Sequence, residues 1–215
     1  MLNSVFRYKG FDLPADPVLR EIVSACNRQL PRTVCSPPSW NLDVVLKALT
    51  LPPFEPLGQS HLRELTMKTL FLVALVSAWR VGELHALSFQ VANQEEDVIL
   101  SYLPEFVAKT ESMTNPVARE FRLRSLSVAV GHEDEERLLC PVRALRWYRQ
   151  RTQADGRPRH LFLSVRDHGR PLSKSALSFF LRETIKVAHA SIPEEHCPLL
   201  KVRAHDIRGI ATSVI

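Results

Sequence analysis

Two short segments, far apart in the chain, combine an arginine with residues that could support it: Arg80-Val81-Gly82-Glu83-Leu84 and His205-Asp206-Ile207-Arg208-Gly209. Arginine donates a planar pair of hydrogen bonds to a phosphate and stays charged at neutral pH. In phosphodiester transfer, negative charge builds on the non-bridging oxygens, and fixed cationic donors stabilise it. His205 and Arg208 share a face if they lie on a helix. The segments therefore indicate phosphate recognition, although an Arg-x-x-Glu string at a helix end can also be a surface ion pair.

The elements that must position Arg80 can be predicted from apolar spacing. Apolar residues between Leu62 and Trp79 recur at helical intervals, which predicts a core helix that carries Arg80 at its end. Gly82 is expected to break this pattern, and residues 83–87 to open a second short helix. Arg80 would then lie at a helix junction, with Glu83 close enough to orient its guanidinium. A half-buried pair of this kind is costly to keep without a purpose.

Four segments resemble the tyrosine recombinases, the phage-integrase family, and in particular the branch carried by DIRS-type retroelements of animals. They occur in the family's order: Trp40–Leu57, Thr69–Ser88, Leu139–Thr152 and Val202–Ser213. The resemblance implies that Arg80 is the first catalytic arginine, with Glu83 as its acidic support. It implies that His205 and Arg208 are the histidine and arginine of the second box. Lys109 matches the family's β-hairpin lysine, which would protonate the leaving 5′ oxygen as a general acid.

The chain departs from the family pattern at two points. Gly209 stands where many members carry a further histidine. The family's third-box His or Trp and its nucleophilic tyrosine are expected a few tens of residues after the second arginine, which would place them beyond Ile215. Tyr8, Tyr102 and Tyr148 all precede the second box, in a polar stretch, a predicted strand and a predicted amphipathic helix. None is a credible nucleophile by position, so we expect a chain truncated at its C-terminus.

The charge distribution suits a polyanionic partner. The net charge is +5 and the isoelectric point is near 9.2, and arginines recur along one predicted helix. The candidate DNA-binding residues on that helix are Arg143, Arg146, Arg149 and Arg151. A basic helix can equally be a solvated face, but beside the two arginine boxes contact with the phosphates of duplex DNA is the better interpretation.

Several classes of site and location are disfavoured. The four cysteines, Cys26, Cys35, Cys140 and Cys197, are widely spaced, which indicates a reducing compartment and neither a disulfide framework nor a zinc finger. We expect no metal and no cofactor. The longest apolar run, 70–78, is too short to span a bilayer. The resemblance implies a nuclear protein and a homo-oligomer that assembles on DNA.

Prolines and periodicity divide the chain. Residues 1–51 are predicted to be the remnant of a helical DNA-clamping (core-binding) domain with its linker, and residues 52–215 an incomplete catalytic domain. The resemblance implies an α+β fold, mostly helical, with a small antiparallel sheet. Helices are expected to begin at Pro17, Asn41, Pro141 and Ser173, and strands at 98–102 and 120–128.

These observations favour a DNA-binding recombinase or integrase-like protein that acts in DNA recombination and DNA integration. In the complete family enzyme, a tyrosine forms a 3′-phosphotyrosyl intermediate. Two alternatives stay open. One is a non-catalytic DNA-binding remnant of a mobile element, and the other is a protein-interaction module that reuses the fold.

Overall fold

The computed structural model describes residues 17–29, 40–94, 96–108, 119–126, 137–190 and 202–213. The chain divides into two compact units, Met1–Pro37 and Pro38–Ile215. In the first unit the structure describes one helix, α1 (Pro17–Gln29), which begins at Pro17 as predicted. Proline suits the first helical position because the N–H that it lacks would have no partner there. Val18 and Ile22 of this helix are exposed.

In the described part of the second unit, the fold is α+β, and about half of all described residues are helical. Six helices follow one another as α2 (Leu42–Leu49), α3 (Leu62–Ser77), α4 (Val81–His85), α5 (Pro141–Arg151), α6 (Lys174–His189) and α7 (Ala204–Ser213). Three strands, β1 (Ala92–Gln94), β2 (Asp97–Ser101) and β3 (Glu120–Leu123), form an antiparallel sheet in the order β1-β2-β3. This much of the predicted fold class is confirmed.

The predicted helix starts are also confirmed, and side-chain caps account for two of them. The Asn41 side chain accepts a hydrogen bond from the Asp43 N–H at 2.8 Å at the start of α2. The Ser173 hydroxyl accepts one from the Ala176 N–H at 3.2 Å at the start of α6. Each bond satisfies an N–H that the helix leaves without a backbone partner.

Helix α3 is the centre of the core. Every residue from Leu65 to Ala74 is buried, because α5, α6 and α7 all pack against this helix. Helix α2 packs against α6, and Trp40 belongs to the same apolar core as α3. The compact unit that contains α3 therefore begins at Pro38, whereas the predicted domain boundary follows Leu51.

The core helix ends earlier than its apolar pattern predicted. Its cap is Ala78, which adopts a left-handed conformation (φ 52°) and donates its N–H to the Ala74 carbonyl. The prediction that Gly82 breaks the helix is wrong, because Gly82 lies inside α4. A left-handed alanine is uncommon, so apolar periodicity alone gave no sign of the break.

The sheet turns one face to the core. The cross-strand pairs Val98–Leu123 and Leu100–Phe121 lie on that face, while Ile99 and Ser101 point to the other. Strand β3 ends at Leu123, where the Ser125 N–H donates to the Asp97 carboxylate at 2.9 Å. The strand was predicted to reach residue 128, but residues 127 and 128 lie outside the described residues. Strand β1 was not predicted. Within the described residues, no helix has the length and apolar character needed to cross a membrane.

Candidate functional site

Arg80 and Glu83 are brought together at the junction of α3 and α4. Arg80 is the N-cap of α4 and Glu83 is its third residue. The Arg80 N–H donates to Glu83 Oε2 at 2.6 Å, and the guanidinium lies 3.7 Å from Glu83 Oε1. The Arg80 side chain is 36% exposed and that of Glu83 is 14% exposed. The carboxylate thus orients an arginine that can still reach a ligand.

An aromatic cluster fixes the residue that precedes Arg80. The Trp79 ring lies 5.3 Å from Tyr102 and 4.9 Å from Phe121, between ring centroids, and Tyr102 lies 5.0 Å from Phe106. The helix junction is therefore packed against the sheet and the segment that follows β2. Buried aromatic contacts of this kind hold the backbone at a defined angle, which limits where Arg80 can point.

His205 and Arg208 lie on α7, one turn apart. Ile207 and Ala211 of this helix are buried, whereas His205 is exposed and Arg208 is half-buried. Helix α7 packs against α3 and α6, and α4 also packs against α6. Both arginine boxes are thus carried by elements around the same two helices. At Gly209 an added Cβ would meet no heavy atom of the described residues within 4 Å, apart from its chain neighbours and the backbone of its own helix.

Lys109 lies outside the described residues, so its predicted place beside the other site residues stays a prediction. The structure describes the chain on its N-terminal side as far as Ala108, which is buried. Phe106, three residues before Lys109, belongs to the aromatic cluster that contains Trp79. The chain therefore enters the lysine segment from a point that packs close to the Arg80 junction.

The arginines of α5 divide into different roles, beginning with Arg143. Its guanidinium donates to both oxygens of Glu55, at 2.6 and 3.1 Å. Glu55 also accepts from the fully buried Lys68 at 2.5 Å, and Lys68 donates in addition to the Leu49 carbonyl at 2.6 Å. Burial opposes the ionisation of Glu55, but its two hydrogen-bonded cations outweigh that effect and lower its pKa. Burial lowers the pKa of Lys68 despite Glu55.

The other three arginines of α5 differ in how they are engaged. Arg151 donates to the Ser60 carbonyl at 2.5 Å. Arg146 is exposed and donates to the Glu96 carbonyl at 3.1 Å. Arg149 is half-buried, and its Nε has no hydrogen-bond partner in the described structure. Arg143 and Arg151 thus bind within the protein, while contact of these four arginines with DNA stays a prediction.

A histidine pair that sequence reasoning missed lies beside α4. The rings of His85 and His160 are 5.0 Å apart, edge to face. Burial, followed by the charges of His160 and Lys174, lowers the pKa of His85. Burial also lowers the pKa of His160, against the attraction of Glu105 and with help from Arg159. Both rings are therefore neutral at neutral pH. No sequence signal links residues so far apart in the chain.

The described tyrosines are poor nucleophiles. Tyr148 is fully buried, and its hydroxyl accepts a hydrogen bond from the Leu163 N–H at 2.9 Å. Burial raises its pKa to about 12. Burial also raises the pKa of Tyr102, which is a buried member of the aromatic cluster. Tyr8 lies outside the described residues. Among the described residues, no group of three or more histidine, cysteine, aspartate or glutamate side chains could hold a metal ion.

Comparisons with protein-family models, with curated proteins and with solved structures found no match to this chain. The functional interpretation therefore depends on the geometry of the Arg80–Glu83 junction, on helix α7 and on the sequence resemblance described above.

Proposed function

We propose that this protein binds duplex DNA and holds a scissile phosphate in the manner of a tyrosine recombinase. The observation that carries the proposal is the Arg80 junction, where the Glu83 carboxylate contacts both the backbone N–H and the guanidinium of Arg80. An arginine that serves only surface solubility does not need a carboxylate that holds both its backbone and its side chain. Helix α7, with Arg208, packs against the helix that leads to Arg80, which supports a shared role for the two arginines.

In the chemistry that the resemblance implies, Arg80 and Arg208 donate hydrogen bonds to the non-bridging oxygens of the phosphate, with His205 beside them. A tyrosine hydroxyl attacks phosphorus, the bond to the 5′ oxygen breaks, and Lys109 gives that oxygen its proton. The 3′-phosphotyrosyl link is later reversed by a 5′ hydroxyl. The route uses neither a metal nor a cofactor. The proposal extends to a nuclear location and to a homo-oligomer formed on DNA.

A non-catalytic DNA-binding role is the second candidate, favoured by the burial of Tyr102 and Tyr148. A nicked suicide substrate traps a phosphotyrosyl link, which a denaturing gel reveals. The two roles are distinguished by a chain extended past Ile215 with a segment that carries a tyrosine, because only the catalytic role then gives an adduct. We expect no covalent adduct from the 215-residue chain. If an adduct forms and Tyr8→Phe abolishes it, Tyr8 is the nucleophile and the catalytic role holds for this chain.

DNA binding itself is tested by fluorescence anisotropy with a labelled duplex over a range of salt concentrations. Affinity should fall steeply with salt, as phosphate contacts require. Arg80→Ala and Arg208→Ala should each weaken binding about threefold to tenfold. Arg166→Ala removes the same charge from an exposed residue and should change affinity by less than about twofold.

A double-mutant cycle tests whether Glu83 acts through Arg80. Glu83→Gln should weaken DNA binding in the parent chain and have little further effect in the Arg80→Ala background. If the Arg80→Ala/Arg208→Ala variant binds DNA as tightly as the parent, Arg80 and Arg208 do not form the phosphate site. If the parent protein binds no duplex, or binds it without salt dependence, the DNA-binding role is refuted in favour of a protein-interaction module.

A further inference from the structure

A cleft of about 480 Å³ lies on the face of the sheet that is turned away from the core. Its apolar wall consists of Phe89, Val91 and Ile99, and its polar groups include Ser101 and Glu120. Arg149 closes it from α5. Clefts of this size and mixed lining suit small organic ligands. None of the predicted catalytic residues lines the cleft, so a ligand bound there would be distinct from the scissile phosphate.

Arg149 lines this cleft with a side chain whose hydrogen-bonding groups are not all paired within the described residues. Its Nε is buried and has no hydrogen-bond partner among the described residues, and its guanidinium carbon lies 5.0 Å from the centre of the Phe89 ring. Arg157 lies over the same ring at 3.3 Å, but its guanidinium donates to the Thr152, His160 and Leu161 carbonyls. A half-buried guanidinium that has no anionic partner among the described residues is unfavourable, and an anion in the cleft would offset its charge.

Glu120 adds a negatively charged group to the cleft, which favours hydrogen-bond donors on the ligand. It is exposed, stands directly across from Ser101 in the sheet, and forms no ion pair with any described residue, Arg149 included. A carboxylate only accepts hydrogen bonds. A ligand that satisfies the whole lining therefore needs an anionic group for Arg149, a flat apolar body for the Phe89 wall, and hydrogen-bond donors for Glu120.

We propose that this cleft binds a single unstacked guanine nucleotide. Arg149 would hold the phosphate, with the paired hydrogen bonds that arginine makes to phosphate oxygens. The base would lie on Val91 and Ile99 and beside the Phe89 ring, one face of which Arg157 covers, as unpaired bases do on apolar and aromatic side chains. Glu120 would accept hydrogen bonds from N1–H and the 2-amino group of guanine. Guanine is the base that presents two adjacent donors on its pairing edge.

The proposal does not require the phosphoryl-transfer chemistry of the Arg80 site. The nucleotide could be free, or it could be an unpaired residue of a single strand, and both present the same chemistry to the cleft. A short oligothymidylate with one central guanine, compared with guanosine monophosphate (GMP), separates these sources. Tighter binding of the oligonucleotide identifies the strand as the ligand's source, and tighter binding of GMP identifies the free nucleotide.

Isothermal titration calorimetry with GMP, adenosine monophosphate (AMP), guanosine and inorganic phosphate tests the assignment. GMP should bind at least about tenfold more tightly than guanosine, which lacks the phosphate, and than inorganic phosphate, which lacks the base. Arg149→Met should weaken GMP binding at least about tenfold. Arg166→Met removes the same charge from an exposed residue outside the cleft and should leave GMP binding within about twofold of the parent value.

Glu120→Gln tests the base contact by itself. It should bring GMP and AMP to within about twofold of each other, because an amide cannot accept from both guanine donors. Melting temperatures show whether each variant still folds. Arg149→Met removes a half-buried cation whose Nε has no hydrogen-bond partner among the described residues, so it should not lower stability. The proposal is overturned if GMP does not bind, or if Arg149→Met binds GMP as tightly as the parent does. It is also overturned if Arg149→Met loses its fold together with GMP binding while Arg149→Lys keeps both the fold and the binding.

Discussion

Replacement of Glu55 by glutamine should be among the most damaging single changes in the core. The substitution keeps the shape of the side chain but leaves two cations, Lys68 and Arg143, without their shared carboxylate. The Lys68 side chain is 0% exposed, so water cannot solvate its ammonium group once the carboxylate charge is lost. Breaking a buried pair in this way costs about 3–5 kcal/mol. Because the glutamine carbonyl can still accept one hydrogen bond, we expect a loss of about 3 kcal/mol.

Urea denaturation and thermal melting measure this loss. For a chain of this length, about 3 kcal/mol corresponds to a fall in Tm of about 6–12 °C. Lys68→Met removes the buried cation while leaving the Glu55–Arg143 pair, so it should cost less than Glu55→Gln. In the Lys68→Met background the effect of Glu55→Gln should shrink by about 1 kcal/mol or more. Glu105→Gln breaks an exposed pair with Arg159 and should change stability by less than about 0.5 kcal/mol.

The pH dependence gives an independent check. The folded-state pKa of Glu55 is lowered, so below the ordinary glutamate value of about 4.3 the unfolded chain binds more protons than the folded one. The contribution of Glu55 is therefore complete above that pH and disappears as the pH falls through the lowered pKa. The stability difference between the parent and Glu55→Gln should narrow in acid. A loss below about 1 kcal/mol at pH 7, or an equal loss in the Lys68→Met background, would refute the buried triad.

Two further predictions concern the histidine pair and the basic helix. Because burial lowers the pKa of both His85 and His160, the parent should lose stability as the pH falls below about 6.5. A His85→Asn/His160→Gln variant should lose less free energy of unfolding between pH 7.5 and 5, as measured by urea denaturation. Equal losses in the parent and the variant would contradict the lowered pKa values. Arg146→Ala and Arg149→Ala together should flatten the salt dependence of DNA binding by up to about two units if both contact phosphates. An unchanged slope, judged against the exposed Arg166→Ala, would assign the helix to a solvated face.

The helices were predictable because local signals define them. Pro17 and Pro141 occupy first helical positions, and Asn41 and Ser173 precede helices as N-caps. The end of α3 was not predictable in the same way. It depends on a left-handed Ala78, which tertiary packing of the following Trp79 against the sheet stabilises.

The Arg80–Glu83 pair was also predictable, because the two residues are three apart and their contact is local. The His85–His160 pair was not, since it forms only when the Ser88–His160 bridge brings the second ring to α4. Lys68 was missed for a different reason. Its position in the apolar pattern predicts burial, but its residue type is typical of the surface. The conflict is resolved by Glu55, which comes from the proline-rich loop before α3 and supplies the charge that a buried lysine needs.

The same loop explains why the arginines of α5 could not be sorted by spacing. Arg143 and Arg151 are eight residues apart and share a helix face, and both donate into the 55–60 segment, to Glu55 and to the Ser60 carbonyl. Their charge is largely used to hold this loop against the helix. Any phosphate contact by α5 must then depend mainly on Arg146, which is exposed, and on Arg149, which faces the cleft. The basic composition of the helix therefore overstates its capacity for DNA, and the cleft beside Arg149 becomes the more specific place to look for a nucleotide.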